Sequence, residues 1–404
     1  MLDRAYFERL DAEDPLAPTV ARFRLPEGVV YLDGNSLGPL PAHVPDVVAD
    51  VVERQWGEGL VTSWNRHAWW TLASRVGDKL APVIGVPLGT VSVGDSTTIA
   101  LYKAVGAALG LRPERSVILT DSGNFPTDLY ALGSLARTVG TELIVAEPEE
   151  VAARIDSTIA VLSLTHVDYR TGRRHDMAAL TESAQAAGAV VVWDLCHSAG
   201  ALRLDLTAAD FAVGCGYKYL NGGPGAPAYL YVHPQHQGII QNPISGWWAH
   251  ARPFAMEQDF TPAAGRERMQ VGTQPILSLA AFDAALDVFS GIATAALEEK
   301  ARRLSSDFIR LVDERLEGFE VITPRRAGER GSHVSLAHPE ASAIMAALVS
   351  AGVIGDVRPP NLLRFGFAPA FQRHVDVWEA VDVIETVMDE GQWREAEVPA
   401  GPVT

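Results

Sequence analysis

Lysine is scarce in this chain. Of 33 basic residues only Lys79, Lys103, Lys218 and Lys300 are lysines, and all the others are arginines. An arginine stays protonated, so any amine chemistry is confined to those four positions. Cysteine is scarcer still. Cys196 and Cys215 both lie inside apolar segments, which excludes a disulfide framework and fits a reducing compartment. An excess of basic charge is missing too. Asp and Glu number 50, for a net charge of -17, which argues against a nucleic-acid or anionic-membrane partner, since both call for basic patches. No apolar run reaches the ~20 residues of a membrane span. The opening MLDRAYFERLDAEDPL has no basic segment leading into an apolar core, so no secretory leader is read there. The expectation is a cytoplasmic protein of about two domains, with 48% hydrophobic residues to build its interior.

The stretch VVVWDLCHSAG, starting at Val190, gives the chain its centre. Val190 to Trp193 is a β-branched apolar run, read as a strand buried on both faces and ending at the Asp194 carboxylate. In open α/β sheets ligands sit at the carboxyl ends of strands. A second such run, Phe211 to Gly216, leads into Tyr217, Lys218 and the turn-forming NGGPG. Lys79, Lys103 and Lys300 fall in helix-like segments with polar neighbours, where a lysine can snorkel to water. Lys218 follows a buried strand. A desolvated lysine gives up its proton more readily and becomes a usable nucleophile.

Strand patterns at SVILTD (116–121), TELIVAEP (141–148), TIAVLSL (158–164) and AYLYV (228–232) alternate with helix patterns after Pro126 and near 178–188. Such alternation predicts an α/β fold with a mainly parallel sheet sandwiched by helices. The helix pattern Gly94–Gly110 starts at Asp95, Ser96, Thr97 and Thr98, which reads either as simple capping or as a seat for an anion. NFPTD places Phe125 and Asp128 just past one strand end, and THVDYRTG places Asp168 past another. Asn35 and Ser36, in the turn-rich YLDGNSLGPLP, read as turn chemistry or as a functional loop. Trp64, Trp69 and Trp70 read as core or as a ligand platform. From about residue 276 helix patterns lead to a smaller α+β domain, in which Arg364 of NLLRFGFAP is an exposed-face arginine or a bidentate carboxylate ligand. Asp194, Cys196 and His197 invite a metal reading. A strand continuing through them would turn Asp194 and His197 to opposite faces, and no further Cys/His cluster completes a site, so no metal is expected.

Taken in order, YLDGNSLG, DSTTIALYK, FPTD, WDLCHSAG, YKYLNGGPG, SGWWAH and VGTQP resemble the kynureninase family of pyridoxal 5'-phosphate (PLP) enzymes over nearly the whole chain. The resemblance implies the fold type I PLP-dependent transferase architecture. It divides the chain into an N-terminal arm (1–45) packing with the small domain, a large PLP-binding domain (46–285) and a small C-terminal domain (286–404). It implies that Lys218 carries the cofactor and moves the Cα proton. Asp194 would keep the pyridine nitrogen protonated so that the ring draws electrons. Tyr217 would serve as phosphate ligand and proton donor, Thr97 and Thr98 would hold the phosphate, and Phe125 would stack on the ring. Asp128, Asp168 and His197 would complete the cofactor contacts. Trp247 and Thr273 would reach the phosphate of a neighbouring subunit, so a homodimer with a shared site is implied. Arg364, Ser36 and Trp64 would bind substrate. The implied reaction is hydrolytic Cβ–Cγ cleavage of L-kynurenine, or 3-hydroxykynurenine, to anthranilate, or 3-hydroxyanthranilate, and L-alanine, as in tryptophan degradation.

Three rivals share parts of this pattern. A fold type I aminotransferase uses the same acid and lysine. A cysteine desulfurase resembles a histidine-lysine pair with a mobile-loop cysteine later in the chain, whereas here Tyr217 precedes Lys218 and no cysteine follows Cys215. A non-catalytic regulator of this fold should have lost Asp194 or Lys218, and both are present.

Overall fold

The computed structural model describes residues 2–398. A seven-stranded sheet forms its centre, in the spatial order Val91–Val93, Tyr229–Val232, Phe211–Gly214, Val190–Asp194, Ile159–Thr165, Val117–Asp121 and Glu142–Ala146. Tyr229–Val232 runs antiparallel to both of its neighbours. The run from Phe211–Gly214 to Glu142–Ala146 is parallel throughout, so the sheet is mainly parallel, as expected.

Side chains alternate between the faces of a strand, and the central strand uses both. Val190 and Val192 pack with the helices Thr97–Gly110 and Pro126–Val139 through Ala104, Val105 and Leu132. Val191 and Trp193 pack on the opposite side with Leu180 of Met177–Ala186, and with Leu279 and Phe282 of Ile276–Ala285. Every residue of Val190–Asp194 is buried. The uninterrupted apolar run in the sequence is therefore what a doubly covered strand requires.

A second body is a four-stranded antiparallel sheet ordered Glu320–Val321, His333–Ala337, Leu362–Gly366, Asp356–Arg358. Phe308 of the helix Thr294–Arg315 meets Phe365 and Phe367 there, with ring centroids 5.2 Å apart in each case. The beginning of the chain belongs to this body. Phe7, on the helix Arg4–Glu13, and Leu32 are fully buried in its core, and each large apolar side chain so buried stabilises by about 1.5–3 kcal/mol. Val30–Tyr31 pairs in parallel with Val353–Ile354.

Two sequence expectations fail. Lys103 and Lys300 do not snorkel. Lys103 is buried against Asp95, with Nζ–Oδ2 at 2.6 Å, and Lys300 is buried against Asp14, with Nζ–Oδ2 at 2.7 Å. Their polar neighbours in sequence lie outside while the amines turn inward to carboxylates that sequence order does not reveal. Nor does the strand from Val190 continue to His197. It ends at Asp194 and gives way to a turn, so Asp194 and His197 face one cavity instead of opposite sides. Among the described residues no single helix is long and apolar enough to cross a membrane.

Candidate active site

At the carboxyl ends of the central strands lies a cavity of about 400 Å³. Asp194 and Thr165 close two adjacent strands at its floor, and the turn after Phe211–Gly214 brings Tyr217 and Lys218 to its wall. The turn is held in place by a close approach. Gly38 donates its N–H to the Tyr217 carbonyl at 2.8 Å, and a Cβ there would sit 2.5 Å from the Lys218 carbonyl oxygen. That contact carries the loop with Ser36 to the cavity wall.

Lys218 Nζ lies 2.8 Å from His197 Nε2 and faces the Phe125 ring at 6.0 Å. The His197 ring is wholly buried, and loss of water together with the Lys218 charge holds its pKa well below the usual histidine value. Asp194 accepts the Cys196 N–H through Oδ1 at 2.8 Å. Asp128 stands in the first turn of Pro126–Val139 and is buried. Burial and the neighbouring Asp194 charge raise its pKa well above the usual carboxylate range, with Lys218 opposing. It lines the cavity and is not a plain loop aspartate. Burial also raises the Tyr217 phenol well above its ordinary value.

Another wall is the start of Thr97–Gly110. Ser96, its N-cap residue, makes no side-chain capping bond, which leaves the first backbone N–H groups free to serve an anion along with the Ser96, Thr97 and Thr98 hydroxyls that line the cavity. Asp95 adopts φ +58° just before it. The buried Lys103 holds Asp95 in that conformation and also donates to the Met269 carbonyl at 2.6 Å.

Arg364 comes from the smaller sheet and is 1% exposed. It is not a free fork. Nε donates to Asp356 Oδ1 at 2.8 Å, Nη2 donates to Asp356 Oδ2, and Nη1 donates to the Tyr169 carbonyl at 2.7 Å. A guanidinium has five N–H donors; these bonds take three, and the Asn35 amide oxygen takes the second of Nη2 at 3.2 Å, so one donor on Nη1 is left for a ligand. The Asn35 amide oxygen, in the orientation that satisfies its neighbours, also lies 2.9 Å from Nε. Arg358 lines the cavity as well and shares Asp356 at 2.6 Å.

Not every expected residue comes to this place. Asp168 turns away and caps its own loop, accepting from the Arg170 and Thr171 N–H groups at 2.8 and 2.7 Å. Its neighbour Tyr169 lines the cavity instead, edge-on to Phe125 at 5.0 Å. Trp64 packs on Trp69 and Trp248 at 5.6 and 5.5 Å, in an aromatic cluster away from the cavity. Trp247 and Thr273 are exposed and do not line the cavity. Thr165, Tyr169 and Arg358 escaped sequence reading. Thr165 could have been found as the last residue of its strand; Arg358 sits in GDVRPPN, which has no distinguishing pattern.

The model of the kynureninase C-terminal domain matches residues 297–384. Over 399 residues the chain is 49% identical to the kynureninase of Deinococcus radiodurans, covering 96% of this chain and 97% of the relative. The chain belongs to the kynureninase family. The kynureninase of Pseudomonas fluorescens is 46% identical, over 96% of each chain. The architecture is that of fold type I PLP enzymes, as expected. The cysteine desulfurase CsdA of Escherichia coli superposes with a TM-score of 0.78 at 19% identity, covering 93% of this chain and 98% of the other. The C-DES variant with glycine linked to its PLP gives 0.74 at 18%, covering 95% and 100%. At such identities the likeness is one of fold, and kynureninase membership rests on the sequence relatives.

Proposed function

We propose that the chain is a PLP-dependent hydrolase that cleaves the Cβ–Cγ bond of L-kynurenine, or of its 3-hydroxy form, releasing the anthranilate-type acid and L-alanine. One observation carries this reading. The amine of Lys218, the carboxylate of Asp194 and the uncapped helix start at Ser96–Thr97–Thr98 face a single cavity. The donor set fits PLP. The helix start suits a phosphate, Lys218 suits an aldehyde, and the buried Asp128 Oδ2 and His197 Nδ1 have no partner among the described residues.

Bound PLP supplies an electron sink for negative charge that develops on the amino acid. Asp194, fixed by the Cys196 N–H, would hold the pyridine nitrogen in its protonated form, and the buried Asp128 beside it, whose pKa is raised, would disfavour a second negative charge there. Phe125, which lines the cavity opposite the Lys218 amine, would stack on the cofactor ring. Lys218 is the base for the Cα proton, with Tyr217 beside it as a proton donor. Arg364, with Ser36 near by, binds the substrate carboxylate through its remaining Nη1 donor. Asp168 stands outside this set except through its backbone.

We extend the reading to a homodimer in which Trp247 and Thr273 of one protomer complete the site of the other. Trp247, Phe254 and Met256 support it, being large, apolar, adjacent and 42%, 68% and 76% exposed, a grouping typical of interaction surfaces. We also retain the division into an arm (1–45), a large domain (46–285) and a small domain (286–404), supported by separate cores around the two sheets. The test is to supply PLP and L-kynurenine and follow anthranilate fluorescence. Lys218→Ala should give neither product nor a pyridoxyl group fixed by borohydride. Transfer of the amino group to pyruvate without cleavage would overturn the hydrolase reading.

A further inference from the structure

Arg364 and Arg358 both line the cavity, and the smaller sheet puts them there together. Side chains alternate between the faces of a strand, so Asp356 and Arg358, two apart on the strand Asp356–Arg358, share a face. Asp356 stands opposite Arg364 in the antiparallel pairing, and directly opposed residues project to the same side. Three charged side chains therefore leave one face side by side. Both arginines donate to a single atom, Asp356 Oδ2.

Their spare donors differ. Arg364 keeps one N–H, on Nη1, because Asp356, Asn35 and the Tyr169 carbonyl take the other four. A carboxylate has two oxygens and suits two N–H donors held side by side, so Arg364 alone serves half of one. Arg358 gives Nη2 to Asp356 at 2.6 Å and Nη1 to the Val357 carbonyl at 3.0 Å. Its Nε is enclosed, which leaves the second N–H on each of Nη1 and Nη2 for a ligand. The Arg358 side chain is 28% exposed against 1% for Arg364, so it is the arm that reaches open space. Charge agrees with this donor count. Asp356 is one negative charge between two positive ones, and the pKa of Asp33 beside them is pushed up to about 9 by burial and the Asp356 charge. One positive charge is left over near neutral pH, where a partly buried charge without a partner is costly. A single carboxylate balances it.

We propose that the α-carboxylate of the amino-acid substrate is clasped between the two arginines, one oxygen on Nη1 of Arg364 and the other on the Nη groups of Arg358, so that Arg358 is a substrate-binding residue. The proposal deepens the reading given above and rests on an amino acid occupying this cavity. Attachment from two strands fixes the direction of the carboxylate, and with it the orientation of Cα towards the Lys218 amine. A single N–H would leave it free to swivel.

The test compares two ligands of the holoenzyme that differ only in the carboxylate, L-alanine and L-alaninamide, with dissociation constants read by calorimetry. A lost hydrogen bond to a charged group costs about tenfold or more in affinity. Arg358→Met should weaken L-alanine binding by that factor and change L-alaninamide binding by less than about twofold. Arg358→Lys should recover only part, because a point charge does not reproduce the fork. Equal losses for both ligands, the mark of a merely structural role, would overturn the proposal, and so would an unchanged L-alanine constant. Should Arg358→Met fail to fold, the arginine reagent phenylglyoxal puts the same question to the unsubstituted protein. L-alanine should shield Arg358 from modification, located by peptide mass mapping, and L-alaninamide should not; equal modification with both ligands overturns the clasp. Failure of the hydrolase reading looks different, for kynurenine then stays intact while L-alanine binding still depends on Arg358.

Discussion

Asp356→Asn removes the negative charge between two arginines with almost no change of shape. The Arg364–Asp356 pair is desolvated, with side chains 1% and 2% exposed, so solvent does little to soften the loss. Taking one partner from such a buried pair costs about 3–5 kcal/mol. The Arg358 arm is 28% exposed and adds less than about 1 kcal/mol. The deficit should depend on pH in a specific direction. Asp33 is buried beside this cluster, and burial together with the Asp356 charge pushes its pKa up to about 9. A carboxyl raised this far makes the folded protein bind an extra proton above pH ~4, so its contribution to stability falls as pH rises to about 9. Without Asp356, Asp33 ionises more easily and takes over as counter-charge. The stability gap between Asp356→Asn and the unsubstituted protein should therefore be widest near pH 5 and narrow towards pH 9. A carboxylate ligand such as L-alanine should also rescue the variant more than the parent, since Arg364 then lacks its own partner. Urea unfolding at three pH values, with and without L-alanine, measures all of this. A gap below about 1 kcal/mol at pH 7, or one unchanged between pH 5 and 9, would refute the reasoning.

Other expectations follow from the same contacts. His166 is wholly buried, accepts or donates one bond with Ser198 at 2.9 Å, and has a pKa lowered to about 3 by burial. Because His166, His197 and His333 are all held neutral, stability should be fully present above pH ~6.5 and fall below it, by about 1.4 kcal/mol per pH unit for each ring. His166→Gln should make that slope shallower by one proton; a slope identical to the parent's speaks against the assignment. Lys103→Met should leave the fold in place and weaken PLP phosphate binding at least tenfold, because Asp95 loses the amine that sets its backbone; an unchanged PLP dissociation constant in an equilibrium titration would show that Asp95 needs no such support. Trp247→Ala should weaken PLP retention in a manner that depends on protein concentration, and sedimentation alongside spectroscopy would expose a subunit effect or its lack.

Much of this was legible in the sequence because it rests on local patterns. The doubly buried strand showed as an unbroken apolar run, and the acid at its end and the lysine after the next strand followed from where α/β sheets place ligands. The cap-like start at Ser96–Thr98 was visible as well. What escaped depends on contacts between distant segments. Lys103 and Lys300 looked like surface lysines because their partners, Asp95 turned by a positive φ and Asp14 in the arm, are fixed only by the tertiary fold. Asp168 was placed at the cofactor by motif, yet its Oδ1 accepts two N–H groups of its own turn and it does not line the cavity. Arg364 was identified, but nothing in NLLRFGFAP announced that Asp356, Asn35 and the Tyr169 carbonyl already occupy most of its fork.

The opening residues of the chain sit in the core built by its last hundred, with Phe7 and Leu32 beside Phe308 and Phe365. During synthesis, then, the segment that carries Phe7 and Leu32 can bury them only once the residues around Phe308 and Phe365 have been made, so the large sheet can be complete while this core is not. The Ser36 loop, which follows Leu32, and Arg364, next to Phe365, therefore meet at the cavity only after both bodies have formed.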